Sequence, residues 1–175
     1  NITIECDKRL KNIFINSFPN SENKFFKLGT FSESKEKLNQ FDYVIYAGSL
    51  GRFFRNDIKD FNNRKLLKAN ESLVRKSKIS LGKLDYKYNI GISWKSFKNR
   101  YQDEKSLVLE DFNKIFSSKN CNFINLQYGD VKEEIVNFNS KFNRNIVTLD
   151  YLDLFNDFDN LAAVLKNLDL FICVS

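Results

Sequence analysis

The most regular pattern of apolar and polar positions lies in the second half of the chain. Short apolar runs predict strands at Tyr88–Trp94, Asn122–Gln127, Ile146–Leu149 and Leu170–Val174. Between them, apolar residues at helical spacing predict three helices, with buried faces made of Val108, Phe112, Ile115 and Phe116; of Val131, Ile135, Phe138 and Phe142; and of Phe158, Leu161, Ala162, Leu165 and Leu168. We expect Asp130 and Asp157 to cap the second and third helices. The alternation predicts a parallel sheet with helices on its faces, whose strands present their carboxyl ends to a ligand.

The first half of the chain has weaker periodicity. Alternating residues at positions 2–6 predict a strand, and Asp7 is expected to cap a helix that ends before Pro19. The apolar run Phe41–Ala47 predicts a second strand, and Gly48–Arg55 predicts a turn that leads into a short helix.

A change of composition and charge near residue 87 predicts a division into residues 1–86 and 87–175. Residues 65–84 are Lys-rich and mostly helical in pattern. The chain carries a net charge of +6, of which residues 1–87 contribute +8 and residues 88–175 contribute −2. Its basic residues are 21 Lys and only 7 Arg, whereas base and phosphate recognition favours Arg. We therefore predict no nucleic-acid partner and attribute the charge to a general enrichment in Lys.

Several absences narrow the chemistry further. Histidine is absent, which excludes His-dependent nucleophilic catalysis and His-ligated metals within the chain. Cys6, Cys121 and Cys173 have no paired spacing, so we expect buried, reduced thiols in a cytoplasmic protein. No apolar run approaches the roughly 20 residues of a membrane span. Methionine is absent even at position 1, and the chain stops as an apolar run ends, so we expect a fragment of a longer chain.

The acidic residues near the third predicted helix do not indicate a metal. Asp150, Asp153, Asp157 and Asp159 lack the order of a calcium loop. We predict a solvated acidic loop.

A set of short segments follows in order along nearly the whole chain: Glu5–Leu10, Ser17–Pro19, Gly48–Arg52, Asn89–Lys95, Asn125–Asp130, and Asp159–Ala163 with Leu168–Asp169. Together they resemble the catalytic region of many bacterial tetratricopeptide-repeat proteins. That region is similar to the two-domain glycosyltransferases of the heptosyltransferase and O-linked N-acetylglucosamine transferase type.

The resemblance implies an α/β fold of GT-B type, with two Rossmann-like lobes that contain parallel sheets and are both incomplete in this chain. Residues 1–86 would form the later part of the acceptor-side lobe with a connecting helix, and residues 87–175 the first part of the donor-side lobe. The implied activity is metal-independent transfer of a sugar from a nucleotide-sugar donor to a protein or glycan acceptor, without a further cofactor. The full-length chain would carry tetratricopeptide repeats, and the isolated piece is expected to be inactive.

The alternative is a non-catalytic binding or scaffolding module that retains the same fold. The sequence downstream of residue 175 would discriminate between the two, since the family places a histidine and small residues there to hold the donor's phosphates.

Candidate donor-binding residues follow the first strand of the second half. The Ser93 hydroxyl and the Lys95 ammonium could bind a diphosphate, with the ammonium neutralising charge on the leaving group. In the related transferases a Lys of this loop contacts the donor's phosphates, which makes Lys95 the preferred candidate, with Lys98 and Arg100 as alternates. The alternative is a solvated basic loop beside a core tryptophan.

Weaker candidates lie in two other loops. Gln127 and Tyr128 follow the next strand and are predicted to meet a base or ribose, although the following glycine and aspartate are explained by a turn and a helix cap. Ser49 and Arg52 are assigned to the acceptor side by family position, and a plain turn with a helix cap explains them equally well. The catalytic base is not identified.

Overall fold

Two compact units make up the chain, and each is described by itself. The structure is a computed structural model that describes residues 1–21, 24–61, 65–97 and 106–174. The units comprise residues 1–68 and 69–175. The division falls earlier than the predicted one at 86/87, because helix α4 (Glu71–Leu81) packs within the second unit. In that packing, the Ser77 hydroxyl donates to the carbonyl of Ala163 at 2.9 Å.

The first unit contains a pair of short parallel strands and a helix. Strands β1 (Ile4–Cys6) and β2 (Phe25–Lys27) pair in parallel, and helix α1 (Lys11–Ser17) ends before Pro19 as predicted. The Asp7 carboxylate accepts the backbone N–H of Arg9 at 2.9 Å. Asp7 is therefore a cap, but it caps a single 3₁₀ turn that precedes α1.

The rest of the first unit is irregular. It includes the short helices α2 (Lys35–Leu38) and α3 (Gly51–Phe54), and α3 confirms the turn and helix predicted after Gly48. The strand predicted at Phe41–Ala47 is wrong. Within the described residues no strand pairs with this segment, and its Tyr43 and Tyr46 side chains are 94% and 87% exposed. Apolar β-type residues alone do not make a strand when no neighbour accepts their backbone hydrogen bonds.

The second unit is built on a four-stranded parallel sheet. Its strands are β3 (Tyr88–Ser93), β4 (Cys121–Asn125), β5 (Ile146–Val147) and β6 (Leu170–Cys173), in the spatial order β5-β4-β3-β6. All three pairings are parallel, which confirms the predicted α/β arrangement. The edge strand β6 is mostly exposed, and the Cys173 thiol is exposed with it. Cys121 is half-buried and Cys6 is buried, so the prediction of three buried thiols is correct for Cys6 alone.

Strand β6 is joined to β3 by a reciprocal pair of hydrogen bonds where the two strands begin. The backbone N–H of Asn89 donates to Asp169 Oδ2 at 2.8 Å, and the N–H of Asp169 donates to the carbonyl of Asn89 at 2.9 Å. This pairing fixes the register of β6 against β3.

Helices cover both faces of the sheet. Strands β3 and β4 contribute Ile90, Ile92 and Phe123 to one face, which packs against helix α5 (Lys132–Phe142). Ile124 of β4 and Leu126, directly after that strand, belong to the opposite core, which includes residues from α4 and helix α6 (Phe158–Lys166). The sheet is therefore doubly wound. The chain reverses its direction of travel across the sheet between β3 and β6, and this is the topological switch point.

Two predicted features between β3 and β5 are wrong in detail. The helix predicted to bury Phe112 and Phe116 is a pair of 3₁₀ helices, Leu109–Phe112 and Ile115–Ser117, although both phenylalanines are buried as expected. Asp130 does not cap α5, because that helix begins at Lys132 without a side-chain cap. The α5 face through Ile135 and Phe138 is buried as predicted.

Helix α6 begins as predicted, and the predicted apolar face is buried only in part. The Asp157 carboxylate accepts the N–H of Asn160 at 3.0 Å. Leu161 and Leu168 of the predicted stripe pack against the core that contains Val164. The fully buried residues of the helix are Ala163 and Val164, whereas Leu165 of the predicted stripe is 38% exposed. The small side chain of Ala163 allows α6 to approach α4 closely. Among the helices of the described residues, none has the length and apolarity needed to cross a bilayer.

Candidate functional site

The candidate site lies at the carboxyl end of β3, on the side of the switch point. The N–H of Val174, directly after β6, donates to the carbonyl of Ser93 at 3.1 Å. Residues 94–97, which we call the β3 loop, then leave the sheet beside the end of β4. Doubly wound sheets bind their ligands at this position, because the diverging connections leave a crevice.

The Gln127 side chain holds the start of the β3 loop. Its Oε1 accepts hydrogen bonds from the Ser93 hydroxyl at 3.1 Å, from the Trp94 N–H at 2.9 Å and from the Lys95 N–H at 2.9 Å. Its Nε2 donates to the carbonyl of Tyr128 at 2.9 Å, and the residue is 1% exposed. Gln127 is thus a positioning residue for the loop. Ligand contact by Gln127 stays a prediction, although its polar atoms are engaged within the protein.

Glu134, on helix α5, also holds the start of the β3 loop. Its Oε1 accepts the indole N–H of Trp94 at 2.8 Å, and its Oε2 forms an ion pair with the Lys95 ammonium. Glu134 lies in the first turn of α5, where the helix dipole favours a negative charge. Trp94 is fully buried, whereas the side chains of Lys95 and Glu134 are 24% and 30% exposed. The ammonium that we predicted to bind phosphate is therefore already paired with a carboxylate.

An aromatic contact closes one side of the loop. The Tyr128 hydroxyl accepts the N–H of Phe97 at 3.2 Å, and the two ring centroids lie 5.5 Å apart. Gly129 has a φ of +91°, and a Cβ there would lie 2.5 Å from the Phe97 ring. The turn after β4 therefore requires glycine for both conformation and space. The Lys95 ammonium lies 5.3 Å from the Phe97 ring centroid, within the range of a cation–π contact.

The structure thus brings together Ser93, Lys95, Gln127 and Tyr128, four of the predicted residues. Sequence reasoning missed Glu134. A signal was present, because an acidic residue in the first turn of a helix that follows the adjacent parallel strand lies near the same edge of the sheet. Lys98 and Arg100, the predicted alternates, lie outside the described residues.

The predicted acceptor-side pair belongs to the first unit. Ser49 ends a 3₁₀ helix, Ala47–Ser49, and Arg52 lies on α3 with its guanidinium 4.9 Å from the Phe53 ring centroid. Within that unit, the pair lies on the predicted turn and short helix.

The acidic residues near α6 act on the backbone. Asp153 accepts the side-chain amide of Asn156 at 2.9 Å and two backbone N–H groups, and these bonds hold the pKa of its carboxyl below the usual value. Asp157 caps α6. In the described part of the chain, no three Cys, Asp or Glu side chains are grouped as metal ligands.

The second unit is therefore an α/β domain of the doubly wound class, with a polar, internally braced loop at its switch point. No protein-family model matches the chain, and no solved structure gives a significant match.

Among known proteins, the chain is similar to Protein FlbA of Caulobacter vibrioides. The two are 26% identical over 183 residues, which cover 98% of this chain and 30% of FlbA. The chain thus spans less than a third of that relative's length.

Proposed function

We propose that the chain is part of a metal-independent glycosyltransferase of GT-B type, whose second unit binds the nucleotide-sugar donor. The acceptor would be a protein or a glycan, and the full-length protein would carry tetratricopeptide repeats. The observation that carries the proposal is the β3 loop, since it combines a cationic side chain with rigid positioning at the switch point of a doubly wound sheet. The ordered segments that resemble such transferases support the same assignment.

The proposed role of the loop is stabilisation of the leaving group. In glycosyl transfer the bond between the anomeric carbon and a diphosphate oxygen breaks, and negative charge develops on the diphosphate. The Lys95 ammonium and the Ser93 hydroxyl would bind that diphosphate. Gln127 would hold the backbone N–H groups of Trp94 and Lys95. We do not expect turnover by the 175-residue chain alone, because positioning of donor and acceptor requires two complete lobes.

One observation favours the second candidate, a non-catalytic binding or scaffolding module. Lys95 is paired with Glu134, and both polar atoms of the Gln127 amide form hydrogen bonds within the protein. A loop braced in this way would also serve a fold that has no reaction to catalyse.

Substitution of Lys95 in the full-length protein distinguishes the two candidates. A charge-assisted contact to phosphate contributes about 1.5–3 kcal/mol, so Lys95→Ala should weaken nucleotide-sugar affinity about tenfold or more in calorimetric titration. The matched control is Lys141→Ala, because Lys141 also pairs with a glutamate of the second unit, Glu110 at 3.5 Å, but is mostly exposed. Equal affinities in both variants and the wild type would favour the scaffolding module.

A further inference from the structure

The Glu134 carboxylate contacts the side chains of both residues that follow β3, Trp94 and Lys95. One carboxylate oxygen accepts the Trp94 indole N–H and the other pairs with the Lys95 ammonium. The two side chains of the ion pair are each less than a third exposed, so water screens them only in part. Removal of either charge should therefore change the environment of the other.

We propose that Glu134 is a positioning residue for Lys95 and that a diphosphate must displace its carboxylate from the ammonium in order to bind. This inference rests on the proposed function, because it assigns to Lys95 the phosphate contact. It adds a residue that no feature of the resemblance names. Binding of the anion and opening of the Lys95–Glu134 pair become a single exchange of partners.

The geometry makes that exchange inexpensive in free energy. When Lys95 turns to an anion, the Glu134 carboxylate keeps its hydrogen bond from Trp94 and its place in the first turn of α5. It is therefore not left without a partner, which is the main penalty when an ion pair opens. While it stays beside Lys95, however, its charge opposes the approach of any phosphate. Glu134 thus orients the ammonium in the empty site and competes with the ligand for it.

The substitution Glu134→Gln separates these effects. The glutamine amide has nearly the same shape and its oxygen can still accept the Trp94 indole N–H, but it has no charge to hold Lys95. We expect Glu134→Gln to bind inorganic pyrophosphate about three- to tenfold more tightly than the wild type, since partly exposed ion pairs contribute about 1 kcal/mol. Glu133→Gln is the matched control, because Glu133 lies exposed in the same helical turn and its replacement changes the net charge equally.

The titration is followed by NMR on the 175-residue chain. Trp94 is the single tryptophan, so its one indole N–H resonance reports on the Glu134 carboxylate. The inference is supported if Glu134→Gln alone gains affinity, if the double variant with Lys95→Ala loses that gain, and if pyrophosphate shifts the wild-type indole resonance.

The results that would contradict the role of Glu134 differ from those that would contradict the proposed donor site. If Lys95→Ala weakens pyrophosphate binding but Glu134→Gln equals the wild type or binds more weakly, the Glu134 carboxylate does not compete with the anion, the exchange of partners is refuted, and the proposed donor site survives. If no variant binds pyrophosphate at millimolar concentrations, the exchange of partners is refuted. The proposed donor site is then decided separately, by the nucleotide-sugar titration of Lys95→Ala in the full-length protein. Thermal unfolding of each variant confirms that the compared proteins are folded.

Discussion

Replacement of Gln127 by leucine tests whether the candidate site is held by one buried side chain. Leucine fills nearly the same volume but removes the oxygen that accepts the N–H groups of Trp94 and Lys95. A buried donor without a partner costs about 1–3 kcal/mol, and the half-buried Lys95 N–H can recover part of that through water. The Ser93 hydroxyl can rotate to another acceptor. We therefore expect Gln127→Leu to lower the free energy of unfolding by about 2–4 kcal/mol.

Urea unfolding followed by tryptophan fluorescence measures this loss in the second unit alone. Trp94 is the only tryptophan and is fully buried there. With a slope of about 2 kcal/mol per molar urea, the midpoint should fall by about 1–2 M. Gln40→Leu, at an exposed position of the first unit, is the control and should leave that midpoint unchanged. A loss below about 0.5 kcal/mol in Gln127→Leu would refute the reasoning, because it would mean that the two amides need no side-chain acceptor.

Two further predictions concern single positions. Gly129→Ala should destabilise the second unit by about 1–3 kcal/mol in the same urea assay, because φ is +91° and the added methyl group would meet the Phe97 ring. The control is Gly48→Ala, where the methyl group meets nothing within 4 Å and no loss of stability is expected. Hydrogen bonds from the Arg9 side chain and backbone lower the pKa of Asp7 to about 2, so its contribution to stability is complete above the usual value of 3.8 and is lost as pH falls through about 2. Arg9→Gln should raise that pKa toward 3.8 in an NMR titration, and an unchanged pKa would show that Arg9 is not its cause.

The sheet of the second unit could be predicted because its central strands carry their own signal. Parallel strands that are buried on both faces are continuous apolar runs in the sequence, as at Ile90–Ile92 and Phe123–Ile124. The helices between them have a periodic apolar face, as in α5. Periodicity does not distinguish an α-helix from successive 3₁₀ turns, and for this reason the segment around Phe112 and Phe116 was predicted with the right buried residues in the wrong helix type.

Features that depend on a partner distant in sequence could not be predicted. The Phe41–Ala47 segment has strand-like residues but no neighbouring strand within the described residues, and pairing is invisible to local composition. The place of Glu134 near this edge of the sheet follows from its position in the first turn of the helix after β4, but its pairing with Trp94 and Lys95 is visible only in the folded structure. Likewise, the sequence shows that Gln127 follows a strand, and on that ground we predict contact with a ligand. It does not show that the Gln127 side chain accepts hydrogen bonds from the N–H groups of Trp94 and Lys95.

The pairing of Asn89 with Asp169 has a consequence for the order in which the second unit folds. These residues are 80 apart in the chain, whereas Asn89 and Asn122 at the start of the β3–β4 pair are 33 apart. Closing the longer loop costs about 0.8 kcal/mol more chain entropy, so β3 and β4 should associate first and β6 should dock onto them late. Contacts that form after the folding transition state affect mainly the unfolding rate. We therefore expect the end of β3 at Ser93, where Val174 after β6 donates to the Ser93 carbonyl, to become exposed when β6 detaches, at a rate set by that detachment.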